Sequence, residues 1–223
     1  MSGGRTLDRE TARRFYDRVG AKQDSQGFYE QPALDRLIAH ADFEHAHSVG
    51  EFGCGTGRFA SELLQHRLPA DARYWGVDLS PRMVDIAARR VEPFGDRATV
   101  ERTEGEPRLP QPDGWGDRVV STYVLDLLSD EDIRIVLGEA HRVLRPGGML
   151  CVVGITPGEA GLSRLLMNLW QRIHALKPIL VGGCRPLRVA DYLDQQQWQP
   201  LHHSVVTAWG VSSEVTVARR NDA

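Results

Sequence analysis

Cysteine is scarce in this sequence. Cys54, Cys151 and Cys184 are its three, far apart and odd in number. That excludes a disulfide framework and fits a reducing, cytoplasmic setting. Cys54 and Cys151 lie in apolar contexts that suit small core residues. No C-x-x-C or H-x-x-x-H pair offers zinc-ligand spacing, so no metal centre is expected. Long hydrophobic runs are missing too. Nothing nears the roughly 18 apolar residues of a membrane-spanning helix. Arg5, Asp8, Arg9, Glu10, Arg13 and Arg14 interrupt any secretory leader, so none is expected. There is no internal repeat and no low-complexity tract. A net charge of -3 provides no broad basic field, which speaks against nucleic acid as a partner.

What is present is ordinary in bulk. At 223 residues, 41% apolar and 26% charged, the chain is long enough for one domain with a real core. Its informative stretch runs from Val49 to Ala60. Val49 and Phe52 suggest the end of a buried strand. Gly53, Gly55 and Gly57 follow at alternate positions, and Phe59, Leu63 and Leu64 begin a helical pattern. Strand, glycine turn and helix together present bare backbone amides to a ligand beyond the strand end.

Two details narrow the ligand. A dinucleotide turn wants a further glycine where this chain has Arg58. Glu51, just before the glycines, would repel a pyrophosphate but suits an ammonium or sulfonium group. A second acid, Asp78, ends the next expected strand, Arg73–Asp78. It lies about 20 residues past the turn, where a carboxylate takes ribose hydroxyls. An adenosine with a cationic tail and no phosphates is S-adenosylmethionine (SAM).

Three motifs carry a family resemblance. The run from Glu51 to Gly57 resembles the first motif of class I SAM-dependent methyltransferases. The run from Gly76 to Met83 resembles their second-strand motif. Leu144-Arg145-Pro146-Gly147-Gly148 is similar to the turn before their fifth strand. The likeness covers about Ser48 to Gly154. It implies an α/β, Rossmann-like, doubly wound, mostly parallel seven-stranded sheet with a final antiparallel hairpin, the seventh strand lying between the fifth and sixth. It also implies SAM as cofactor, S-adenosylhomocysteine (SAH) as product, and a small or lipid-like methyl acceptor of the phospholipid or quinone kind. Cofactor contacts are expected from Glu51 (ammonium), Gly53, Cys54, Gly55 and Gly57 (methionine portion), Asp78 (ribose), Leu79 and Met83 (adenine faces). Glu104 and Gly105 are expected at the adenine amino edge, with Glu106 the competitor. Thr122 matches by position a residue that touches cofactor in quinone-biosynthesis methyltransferases.

Along the chain, residues 7–20 read as a helix stopped by Gly20. A polar stretch over 23–31 follows, and Pro32 opens a second helix. Residues 1–47 thus form a helical cap before a 48–154 core. Tyr16 and Tyr29 are candidates for the substrate. Ser80 and Pro81 open the helix after the second strand. A third strand is expected over 98–102 and a fourth over 117–123. In place of the Asn/Asp-Pro-Pro-aromatic motif of DNA-base amino methyltransferases, this chain has Ser121-Thr122-Tyr123-Val124-Leu125-Asp126. Tyr123 and Asp126 are the catalytic candidates. Asp126 is either a base, a substrate-orienting group, or part of the acidic entry to the helix over 130–144.

An insertion over 155–188 carries leucines at helical spacing, with Trp170 as a substrate candidate. It reads as a lid, a dimer face or a membrane-surface contact. Arg185 is either a clamp on a substrate anion or a surface arginine. Residues 187–196 read as a last helix and 201–207 with 211–218 as the final hairpin, in a 189–223 closing segment. His202 and His203 are adjacent and point to opposite strand faces, so they do not pair on a metal. Monomer and homodimer both fit. The rival readings are a non-catalytic SAM-binding protein and a NAD(P)-linked oxidoreductase.

Overall fold

A computed structural model describes residues 8–159 and 161–221. Seven strands form one sheet: β1 (Ser48–Phe52), β2 (Arg73–Asp78), β3 (Ala98–Arg102), β4 (Gly116–Thr122), β5 (Leu144–Ile155), β6 (Trp198–Ala208) and β7 (Val211–Arg220). The order is β3-β2-β1-β4-β5-β7-β6. The first five strands are parallel, while β7 runs antiparallel between β5 and β6. The expected sheet and the inserted seventh strand are both found. Strand order reverses between β1 and β4, which opens a crevice at their carboxyl ends.

Helices cover both faces. They are α1 (Arg9–Val19), α2 (Gly27–His40), α3 (Arg58–His66), α4 (Pro81–Val91), α5 (Asp130–Val143) and α6 (Gly161–Leu176). One core layer joins Leu37, Phe59 and Leu63 to Val49, Val120 and Val153. The other joins Ile133, Leu137 and Val143 to Val119, Leu150 and Val152. The central strands β4 and β5 are buried on both faces, as their apolar runs require. Arg118 on β4 is buried as well. It donates to the carbonyls of Ala41 (2.5 Å) and Asp42 (2.6 Å) and so pins the end of α2 to the sheet.

Two local expectations change, and a third holds. Pro32 lies inside α2 and does not open it. Gly27, Glu30, Ala33, Leu34 and Leu37 are buried along one stripe that runs past the proline, and Glu30 binds Arg58, so tertiary contacts extend the helix backward. The last helix over 187–196 is only a short 3-10 turn, Val189–Tyr192. The Glu214 carboxylate takes the amides of Val189 (2.5 Å) and Ala190 (3.5 Å), which competes with helical pairing there. The first helix runs Arg9–Val19 and ends on Gly20 at φ 49°; Leu7 lies outside the described residues.

Candidate active site

β1 ends where the chain must turn back into α3. Gly53, Gly55 and Gly57 all have positive φ (77°, 53° and 72°), which a side chain resists. The amides of Gly53 and Cys54 both donate to the Val77 carbonyl, at 2.8 and 3.0 Å, so the turn is anchored on β2. A Cβ at Gly53 would lie 2.4 Å from Val124, whereas one at Gly55 would meet nothing within 4 Å. Gly55 is the bare, open point of the turn. Gly57, expected at the ligand, does not line the crevice. A Cβ there would meet the Ala87 backbone at 3.0 Å, so this glycine allows α3 to pack on α4.

Two carboxylates flank the turn. Asp78 accepts the Gly55 amide on one oxygen and the Ser80 amide on the other, both at 2.9 Å. Burial pushes its carboxyl above the ordinary value, against those amides. Glu51 is 1% exposed and accepts the Tyr74 hydroxyl at 2.5 Å. Burial raises it to about 7, the Tyr74 hydrogen bond opposing. Both acids line one crevice of about 1440 Å³ counting its open mouth. Leu79, Met83 and Cys54 line it too, as do Thr103, Gly105 and Glu106. Glu104 does not: it is exposed and lies 3.9 Å from Arg102. At this loop Gly105 and the competing Glu106 face the crevice.

The crevice continues past Thr122 to an aromatic end. Tyr16, Tyr123 and Glu30 line it there. Tyr123 follows β4 at φ 57°, a rare conformation for a non-glycine residue, and its hydroxyl bonds Ser213 at 3.0 Å. Tyr29 packs behind, edge-on to Tyr123 with centroids 6.1 Å apart, and does not itself line the crevice. Glu30 carries no motif. Burial raises it to about 7 although Arg58 pairs with it at 2.7 Å. The helical spacing that places Glu30 with Gly27, Leu34 and Leu37 was the available signal.

Asp126 sits one layer deeper. It is 0% exposed, and its Oδ1 has no hydrogen-bond partner among the described residues. Burial raises it to about 6. Cys184 lies close enough to interact with both Asp126 and Tyr16. Trp170 and Arg185, expected at the substrate, lie outside the crevice lining. The Trp170 indole donates to the Cys184 carbonyl at 2.8 Å. Arg185 donates to the Leu128 carbonyl at 2.9 Å and to Asp130 at 2.6 Å, closing the entry of α5. One terminal nitrogen of its guanidinium makes both bonds, and Nε has no partner among the described residues.

Residues 49–148 match the model of a methyltransferase domain. These residues form a methyltransferase domain. The chain is 34% identical over 135 residues to a demethylmenaquinone methyltransferase of Thermus thermophilus, spanning 60% of this chain and 59% of that one. A tRNA N(3)-methylcytidine methyltransferase of Drosophila melanogaster is 30% identical over 130 residues, spanning 55% and 39%. This chain therefore spans less than two thirds of either relative. Among solved structures, a geranyl diphosphate methyltransferase in complex with GPP and sinefungin shares the fold. Its TM-score is 0.71 and its identity 14%, over 95% of this chain and 98% of that one.

Above this methyltransferase domain the amino-terminal helices are latched over the glycine turn. Arg90 on α4 donates to Asp24 (2.7 Å) and to Thr56 (2.9 Å), and Thr56 donates to Asp24 at 2.6 Å. Ser80 donates to Asp17 at 2.6 Å. These contacts close the crevice from the amino-terminal side, and no motif announced them. Asp42, Glu44 and His45 lie close enough together to share an ion, but on an exposed turn away from the crevice.

Proposed function

We propose that the chain transfers a methyl group from SAM to a small or lipid-like apolar acceptor, by in-line displacement, and releases SAH. One observation carries the reading. Two carboxylates, buried Glu51 and half-buried Asp78, flank the bare Gly55, and the same crevice runs on to an aromatic end. Such a cradle suits a cationic nucleoside and disfavours a pyrophosphate. The relative solved with sinefungin supports the same choice. When bound, SAM supplies a methyl group on a positively charged sulfur.

The chain's own residues do the rest. Gly53 and Gly55 give the methionine portion a backbone surface, and Glu51 faces its ammonium. Asp78 accepts from the ribose with the lone pairs its two amides leave free. Leu79 and Met83 flank the adenine, with Gly105 and Glu106 at its amino edge. Thr122 touches the cofactor where β4 ends, and Tyr123 meets the acceptor beyond it. The cap excludes water from the transfer, with Tyr16 as its inner wall.

Where the acceptor must lose a proton, Glu30 is the carboxylate that reaches it, since it lines the crevice and titrates near neutrality. Asp126 acts behind it, positioning Cys184 and Tyr16. The 155–188 insertion borders the acceptor end through its Gly182–Cys184 turn and does not cover it. The net charge of -3 favours a small acceptor over tRNA, and the reading places the enzyme in the cytoplasm. No helix among the described residues is long and apolar enough to cross a membrane.

The test is calorimetric titration with SAH and with NADH, followed by label transfer from SAM onto a panel of quinols, lipids and tRNA. SAH binding with labelled quinol or lipid supports the reading. Binding without transfer to any acceptor points to a SAM-binding regulator. Retention of NADH and not SAH overturns the cofactor assignment.

A further inference from the structure

The most apolar part of the surface lies outside the crevice, on α6. Leu162, Leu165, Leu169 and Leu176 follow the spacing of a single helical stripe. All four are exposed, Leu162 at 70% and Leu176 at 81%. The helix does not need them for packing. Its inner face is a different one, where Met167 and His174 are buried and Trp170 and His174 bond the carbonyls of Cys184 (2.8 Å) and Gly183 (3.1 Å).

The patch extends beyond the helix. Ile179 and Leu180 continue it on the following turn. At the β6–β7 hairpin tip, Trp209 is 80% exposed and packs edge-on against Phe28, with centroids 6.2 Å apart. A Cβ on Gly210 would lie 2.4 Å from Leu166, so α6 rests on that same tip. An apolar surface of this extent marks an interaction site.

Charge identifies the partner. Residues 155–191 hold Arg164, Arg172, Lys177, Arg185 and Arg188 against two carboxylates, Glu159 and Asp191, a local excess of cations in a chain of net charge -3. Arg185 is committed to Asp130, while the other four are exposed. Exposed leucines, an exposed tryptophan and cations along the same segment are the composition of a helix that lies in the headgroup region of an anionic bilayer. A second copy of this chain on a two-fold axis would set the same cations against themselves.

We propose that α6, the 178–181 turn and the Phe28–Trp209 tip dock this protein on an anionic lipid surface. The docked face adjoins the acceptor end of the crevice, since the Tyr16 hydroxyl donates to the Gly182 carbonyl at 3.4 Å, one step along from the turn. An acceptor dissolved in lipid would enter from there. The docking goes beyond the methyl-transfer reading and stands without it.

The experiment is co-sedimentation of the full chain with phosphatidylcholine vesicles, with and without about one third phosphatidylglycerol, at low and high salt. Binding is expected on the anionic vesicles only, and weakened by salt. The double variants L165E/L169E and R164E/R172E each lower it by about tenfold or more. An unchanged circular-dichroism spectrum and thermal melt in both variants show that they fold. Three outcomes overturn the docking: no sedimentation with either vesicle, undiminished sedimentation of L165E/L169E, or a dimer that L165E/L169E disperses while vesicles bind nothing. None of these touches the cofactor reading, which SAH titration tests separately.

Discussion

Asp78 accepts the amide of Gly55 at 2.9 Å, so a carboxylate at the end of β2 holds the turn at the end of β1. The same group takes the Ser80 amide at the start of α4. One side chain thereby sets the relative position of three elements around the crevice mouth. The ligand then meets a carboxylate that is already oriented, and little ordering remains to be done on binding.

Replacement of Asp78 by alanine removes both the orienting bonds and the proposed ribose contact. Hydrogen bonds to a charged group contribute about 1.5–3 kcal/mol each, so SAH binding should weaken about 10- to 100-fold. Calorimetry on wild type and D78A measures this directly. Equal affinity in the two proteins would remove the ribose assignment. D78N should fall between them, because asparagine keeps one acceptor oxygen for one of the two amides.

Glu51 leads to a pH dependence with a defined sign. Its folded value, about 7, lies above the ordinary 4.5. As pH rises, the unfolded chain therefore gives up this proton first, and stability is lost between about 4.5 and about 7. Melting temperature should fall across that window, and E51Q should flatten the fall. Glu30 (about 7) and Asp126 (about 6) titrate in the same range, so E51Q removes only its own share. Affinity for a ligand bearing an ammonium should move the other way, rising with pH as Glu51 ionises. A pH-independent SAH affinity between 5 and 8 would contradict the contact.

The features legible in the sequence share one property: they are local. The glycine turn, the acid ending β2 and the Ser80 cap each lie within a few consecutive residues, and the sheet order follows from their succession. What stayed hidden depends on segments that are distant in the chain. Asp24, Thr56 and Arg90 meet across three elements, and nothing in any one of them signals the other two. Arg185 looked available for a substrate anion because Asp130 is 55 residues away in sequence. Gly57 looked like a ligand contact because only the packed structure shows Ala87 beneath it. Tyr123 gave no hint of its left-handed backbone, which the strand end and Ser213 impose together.

The Glu30–Arg58 pair tests whether the cap is held by charge or by packing. Glu30 is nearly buried, with its side chain 9% exposed, while Arg58 keeps 32%. Losing the arginine leaves a carboxylate without its cation in an apolar setting, and its proton is then held to still higher pH. Because Arg58 is partly in water, the pair contributes less than a fully buried one, and R58A should cost about 1–3 kcal/mol at neutral pH. The cost should shrink below about pH 5, where Glu30 is neutral in both proteins. E30Q/R58A should recover part of it, since the amide carries no charge to strand. Thermal melts at pH 5 and pH 8, with protease nicking of residues 9–30 as a local probe, separate the two cases. An R58A loss that is the same at both pH values and unrelieved in the double variant would show that Arg58 holds the cap through its apolar stem rather than through Glu30.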